Sequence, residues 1–297
     1  MGSEAVNDRR DTERKRRDFL VMATSPFAEQ RAATTRLFNF DLPFIKKTDQ
    51  PLPEQADISP IHRVLDIASG SGEWAIATAQ AYPHMQIVGI DNDAAMVESA
   101  RAQAKARGVD NVHFTLMNPF QTLDMPDGSF ELVNARFITG FIPAEAWPQV
   151  LQEFLRVTRP GGCIRLTEGE LPISSNPAFA NIGGMISQAL FTTGRSFSPE
   201  GRLLSSTPAL QRLLQDAGCQ DTRQVVSITN FSAGMEAHAD LSQDFSRTYR
   251  LVQPFLLKAG VTTQEEIEQL YQQMQGEIHS DDFGAVAFYL TVWGKKP

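Results

Sequence analysis

Apolar positions in this chain follow two rhythms. Between residues 61 and 167, short apolar runs such as Val64-Leu65, Ile87-Val88 and Leu132-Val133 alternate with longer stretches in which apolar residues recur every three or four positions. The runs have the length of buried strands and the stretches that of amphipathic helices. Strands are expected at 63–67, 86–90, 112–116, 130–134 and 163–167, with helices at 73–81, 94–107 and 145–156. Gly108 closes the second helix, Pro126-Asp127-Gly128 turns into the fourth strand, and Pro160-Gly161-Gly162 precedes the fifth. Strands and helices alternating at this spacing predict an α/β fold, a doubly wound and mostly parallel sheet.

The second half is less regular. A helix is expected at 205–217, started by Ser206 or Thr207 ahead of Pro208 and ended by Gly218, then a strand at 222–229 and a last strand at 285–293. Residues 239–257 and 263–278 are helical by pattern. With 170–204, they form more material than a bare sheet requires, and the expected organisation is a sheet domain over 61–297 with helical insertions at about 170–204 and 230–284. Ahead of it, 1–60 reads as a helical segment around Phe19 to Phe40, followed by loops broken at Pro43, Pro51, Pro53 and Pro60.

Composition narrows the function. The 297 residues are 42% hydrophobic and 21% charged, ordinary for a globular protein. A net charge of −8 argues against gripping nucleic acid through its phosphates. The basic stretch 9–17 is interleaved with acids and reads as a solvated helix start rather than a binding arm. Cys163 and Cys219 form no CxxC spacing, and five scattered histidines give no metal site. There is no apolar run of 18 residues and no leader pattern, so a cytoplasmic protein with no membrane partner is expected.

The chemistry concentrates in Asp66-Ile67-Ala68-Ser69-Gly70-Ser71-Gly72. A buried strand ends in an acid, breaks into a Gly-rich turn and opens a helix at Glu73-Trp74. Glycines let backbone approach a ligand, and the helix start offers amides. A carboxylate four residues before the first Gly repels a phosphate but suits a cationic amine or a sugar hydroxyl, the chemistry of S-adenosylmethionine. The competing reading is a dinucleotide fingerprint, since Gly70-Ser71-Gly72-Glu73-Trp74-Ala75 satisfies G-x-G-x-x-G/A and Asp91 lies about twenty residues on. Asp66 counts against it. Asp91 closes the second strand, placed to take both ribose hydroxyls, because Asp93 already supplies the cap of the next helix. Asn118, ahead of Pro119 and Phe120, offers a donor and an acceptor to an adenine edge, or else serves as a turn residue. Asn134-Ala135-Arg136 ends the fourth strand at the same sheet edge.

These segments resemble the class I S-adenosylmethionine-dependent methyltransferases, over 61 to about 167 and again at the final strand, and most of all the small-molecule enzymes of quinone and secondary metabolism. Residues 64–72 are similar to the family's first motif, with Ala68 and Ser69 where it usually has Gly-x or Gly-Cys; 88–91 are similar to its ribose motif, 126–133 to its approach to strand four, and 155–162 to its turn before strand five. Asn118 stands where the family usually has Asp. The resemblance implies a seven-stranded sheet with an antiparallel last strand, a Rossmann-like methyltransferase fold with a helical lid. It also implies Asp66 near the methionine amino group, Gly70 and Gly72 beneath the cofactor, and Asp91 on the ribose; Ala68, Ser69, Trp74, Asn92, Asn118, Pro119, Phe120, Asn134, Ala135 and Arg136 complete the expected cofactor set. A valine at Gly72 is then expected to cost affinity while leaving the fold intact.

The expected activity is transfer of the methyl group to an oxygen, nitrogen or carbon of a small, largely apolar metabolite, by in-line displacement, leaving S-adenosylhomocysteine. The alternatives are a non-methylating reaction such as cyclisation on a bound sulfonium, or a regulatory protein that senses it. The fourth strand lacks the Asn/Asp-Pro-Pro-Tyr/Phe motif of base-methylating enzymes. His238, Tyr249 and His279 are the candidate bases in the insertions, each also readable as a packing or surface residue, and Glu168 and Glu170 follow the fifth strand. The insertion helices and the N-terminal segment are a candidate homodimer surface.

Overall fold

The computed structural model describes residues 50–55 and 57–297. The helix expected around Phe19 to Phe40, the basic stretch 9–17 and most of the N-terminal unit therefore lie outside the described residues. Five strands run parallel: β1 (Arg63–Ile67), β2 (Gln86–Asp91), β3 (Val112–Leu116), β4 (Phe130–Arg136) and β5 (Thr158–Gly169), in the order β3-β2-β1-β4-β5. β8 (Ala285–Lys295) lies antiparallel beside β5, and β7 (Gln220–Asn230) pairs antiparallel with β8 as the outer strand. The seven expected strands are thus present. An eighth, β6 (Ile173–Ser174), pairs two residues with the start of β8.

Alternation along the strands divides the apolar residues between two faces. Val64, Ile87, Phe114 and Leu132 point to one side, where they meet Trp74, Ala75 and Ile76 of α1 (Glu73–Ala81) and Val97, Ala100 and Ala104 of α2 (Ala94–Ala106). Leu65, Ile67, Val133, Ala135, Ile164 and Leu166 point to the other. There they bury Trp147, Leu151 and Phe154 of α3 (Trp147–Val157) and Leu210 and Leu214 of α5 (Ser206–Ala217).

A third core joins α4 (Pro177–Thr192), α6 (His238–Lys258) and α7 (Gln264–Ile278) to Phe137, just past β4, and to Ala285, Ala287 and Tyr289 of β8. Phe179 is its centre, with ring contacts to Phe231, Phe245, Tyr249 and Phe283 at 5.1–6.1 Å. Because β8 is antiparallel, its first residues lie at the carboxyl edge of β5, so this helical layer stands over that edge of the sheet.

Several boundaries differ from expectation for local reasons. α3 begins at Trp147, after a 3-10 turn at Ala144–Ala146, because Pro148 lacks an amide hydrogen and fits only the first helical turn. β5 starts five residues early; Pro160-Gly161-Gly162 is absorbed as an irregularity of pairing with β4 between Phe130 and Leu132. The helical insertion expected at about 170–204 had no bounds; α4 lies within it. Its Gly183-Gly184 pair disguises a helical stripe of Phe179, Ile182, Ile186 and Leu190, all buried.

Candidate cofactor site at the carboxyl edge

In the order β3-β2-β1-β4-β5, the direction of winding reverses between β1 and β4, the point at which open α/β sheets carry a ligand crevice beyond the strand ends. Asp66 on β1 and Asn134 on β4 are paired in register across that reversal. Both are buried, and Asn134 Nδ2 donates to Asp66 Oδ1 at 2.7 Å.

The turn after β1 is held by left-handed backbone at alternate positions: Ala68 (φ 55°), Gly70 (φ 54°) and Gly72 (φ 82°). Ser69 N–H donates to Ile90 O at 2.9 Å, and Gly70 N–H donates to Asp91 Oδ2 at 2.9 Å. The second Asp91 oxygen accepts from Asp93 N–H at 2.9 Å, while Asp93 caps α2 through Ala95 and Met96. Asp91 is thereby freed from the capping role and fixed in place instead. Burial pushes its carboxyl up from the ordinary range, against the backbone donors that pull it down.

Met117 N–H donates to Asp91 O at 2.9 Å and brings the next loop to the end of β2. Asn118 Oδ1 accepts from Phe120 N–H at 3.0 Å, a turn bond that leaves its amide nitrogen pointing elsewhere; Pro119 is buried, and Asn92 and Phe120 are half-buried. Ser69 Oγ is buried with no hydrogen-bond partner among the described residues. On β4, Ala135 and Arg136 are buried.

Two expectations change in this setting. Trp74 does not face the crevice. It is wholly buried, donates Nε1–H to Pro51 O at 3.2 Å, and has the Arg136 and Arg165 guanidinium carbons 5.3 and 5.9 Å from its ring centre. Gly72 is demanded by packing: a Cβ there would lie 2.5 Å from the Phe114 ring and 2.9 Å from Ala100 Cβ. A valine at Gly72 therefore disturbs the seat of α2 and does not leave the fold intact.

The candidate bases stay apart from one another. His238 opens α6, with Nδ1 3.0 Å from Phe231 O and 3.2 Å from Ser242 Oγ. His279 is exposed past the end of α7 with Nδ1 2.7 Å from Gln275 O. Tyr249 is buried in the aromatic core, and burial pushes its hydroxyl up, so it holds its proton more firmly than a free phenol. Glu170 accepts from Ser205 N, Thr207 N and Thr207 Oγ at 2.9–3.1 Å, and caps α5 in place of the expected hydroxyl.

One residue was missed, Arg165, and Glu168, noted only by its place after the fifth strand, has an environment that the sequence does not show. Arg165, in mid-strand on β5, is wholly buried; it donates to Asn134 Oδ1 at 2.8 Å and pairs with Glu54 at 2.6 Å. The signal was a lone charge inside Cys163-Ile164-Arg165-Leu166. Glu168, at the end of β5, accepts from Ile138 N and Thr139 N at 2.6 and 3.1 Å, and burial pushes it up to about 8. Among the described residues no group of histidine, cysteine and carboxylate side chains is arranged for a metal, and no helix is long and apolar enough to cross a membrane.

The donor set fits S-adenosylmethionine chemically: buried carboxylates at two neighbouring strand ends can accept from an ammonium and from ribose hydroxyls, and the amide of Gly70, which a pyrophosphate would need, already serves Asp91. Comparison with known proteins agrees. Residues 64–162 match the methyltransferase domain family. The chain is 37% identical over 111 residues to a demethylmenaquinone methyltransferase of Geobacillus kaustophilus, covering 37% of this chain and 46% of that one. It is 36% identical over 117 residues to the Thermus thermophilus enzyme of the same name, covering 39% and 50%. The chain thus spans about half the length of the curated relatives it matches. A crystal structure of a putative methyltransferase from Bacillus halodurans superposes with a TM-score of 0.53 at 18% identity, over 86% of this chain and 99% of that one, and shares the fold. With the acid-tipped Gly-rich turn, the winding order and the antiparallel last strand, the stretch 64–162 that matches the methyltransferase domain family sits in a sheet similar to that of the class I S-adenosylmethionine-dependent methyltransferases.

Proposed function

We propose that the protein transfers the methyl group of S-adenosylmethionine to an oxygen, nitrogen or carbon atom of a small, largely apolar metabolite. The observation that carries this reading is the pair of buried carboxylates, Asp66 and Asp91, at neighbouring strand ends beside the winding reversal. Asp66 would hold the amino group and Asp91 the ribose, with the turn 68–72, Asn92, Asn118, Phe120 and Ala135 shaping the walls. Bound there, the cofactor supplies an electrophilic methyl on a sulfonium. The chain's own residues would orient the acceptor and exclude water. The helical layer over the carboxyl edge is the proposed lid. The quinone-methylating names of the relatives favour a small, apolar acceptor, and the acidic net charge disfavours nucleic acid as substrate.

Calorimetric titration with S-adenosylmethionine tests the reading. Saturable one-to-one binding in the micromolar range is expected. Asp91→Ala should weaken it by roughly tenfold or more, the loss of a charge-assisted pair of hydrogen bonds. Unchanged affinity in that variant would remove the site as drawn.

A further inference from the structure

The Arg165 side chain lies in the middle of the sheet, away from any solvent, yet it carries a charge. A guanidinium has only donors to offer, so the Asn134 oxygen must face it, 2.8 Å away. That settles the direction of the Asn134 amide, whose nitrogen then has to point at Asp66, 2.7 Å away. On its other side Arg165 Nε meets Glu54 Oε1 at 2.6 Å, and the ion pair is fully buried, at 0% and 2% side-chain exposure. Glu54 is itself anchored by its neighbours, since Leu52 is buried and Pro51 O accepts from Trp74.

A relay results: Glu54, Arg165, Asn134, Asp66. Stability alone is a poor explanation for it, because a buried ion pair recovers its desolvation cost only in part, and apolar residues of like volume serve a core at least as well. Its directionality has one consequence at the far end. Asp66 is held as an acceptor in one orientation, with a positive charge two hydrogen bonds behind it.

We infer that Arg165 is a positioning residue for the cofactor, acting through Asn134 on Asp66, with Glu54 as the counter-charge that makes its burial tolerable. The inference rests on the reading that Asp66 meets the amino group of the cofactor. Its mark is selectivity within the ligand. Affinity for the amino-acid end should depend on the relay, and affinity for the nucleoside end should not.

The test compares binding of S-adenosylhomocysteine with 5′-methylthioadenosine, which lacks the amino-acid end, by calorimetry on the full chain. The double variant Glu54→Gln/Arg165→Gln removes both charges together and leaves no lone buried ion. It should bind S-adenosylhomocysteine about tenfold more weakly and methylthioadenosine as the wild type does, the size expected for weakening one charge-assisted hydrogen bond. Should that variant fail to melt cooperatively, Asn134→Ser cuts the same relay nearer its end and should give the same split. Equal loss for both ligands, or no loss for either, overturns the inference. Asp66→Asn is the control for the reading beneath it. If that substitution leaves S-adenosylhomocysteine binding unchanged, the assignment of Asp66 fails and takes the relay's role with it. If Asp66→Asn shows the split and the relay variants do not, only the role of Arg165 falls.

Discussion

Ala68 holds a backbone conformation, φ 55°, that L-residues with a Cβ adopt at a cost. The family to which the first motif is similar usually has Gly nearby, and the structure supplies the reason: the turn needs left-handed geometry at 68, 70 and 72. Ala68→Gly should raise stability by ~1 kcal/mol, from relief of the left-handed strain less the added freedom of the unfolded chain. Urea denaturation would measure it; a loss of stability would show that Ala68 is not strained. Glu168 makes a second prediction at this scale. Its carboxyl is raised from 4.5 to about 8, with burial outweighing the two backbone donors. Between those values the folded protein keeps a proton that the unfolded chain releases, so stability falls as pH rises through the window and levels off above it. Glu168→Gln removes this contribution. Between about pH 5 and pH 8 the wild type should lose melting temperature relative to the variant, and parallel curves would contradict the assignment. Neither residue was fully legible in the sequence, because φ and burial are properties of the surroundings. The acids at 66 and 91 were legible because strand ends declare themselves.

Helix starts show the same division between what is local and what is not. Asp93 was read as the cap of α2 and is one, its partners lying two and three residues on. α4 and α5 carry no side-chain cap of their own. Instead Glu277 of α7 accepts from Ala178 N and Phe179 N at 3.0 Å, and Glu170 reaches the start of α5 from 35 residues back. A cap borrowed from a distant element leaves no spacing to recognise: α5 does begin at Ser206, one of the two expected starts, but the Glu170 carboxylate rather than a hydroxyl serves its amides. Glu170→Ala should destabilise the fold by about 1–2 kcal/mol, comparable to deleting a native cap. A chemical denaturation midpoint unchanged from wild type would show that water replaces the carboxylate without loss.

For the molecule as a whole, the repeating strand-helix alternation made the sheet readable from Arg63 onward, and the antiparallel last strand followed from the resemblance. The helical layer was readable as excess material in helical insertions, with bounds for two of its three helices. Its aromatic centre was not, because Phe179, Phe231, Phe245 and Phe283 come together from separate stretches of chain. The proline-rich stretch 51–60 looks in the sequence like spacer. In the structure Pro51, Leu52 and Glu54 reach the same Trp74 and Arg165 that back the Gly-rich turn. That bears on transplantation. A recombinant graft of the sheet starting at Ile61 would carry over every recognisable motif and still strand one uncompensated cation in a dry interior, a defect of about 3–5 kcal/mol. A graft starting at Pro51 should melt cooperatively under conditions where one starting at Ile61 does not, so the smallest heritable unit of this domain is about ten residues longer than its motifs suggest.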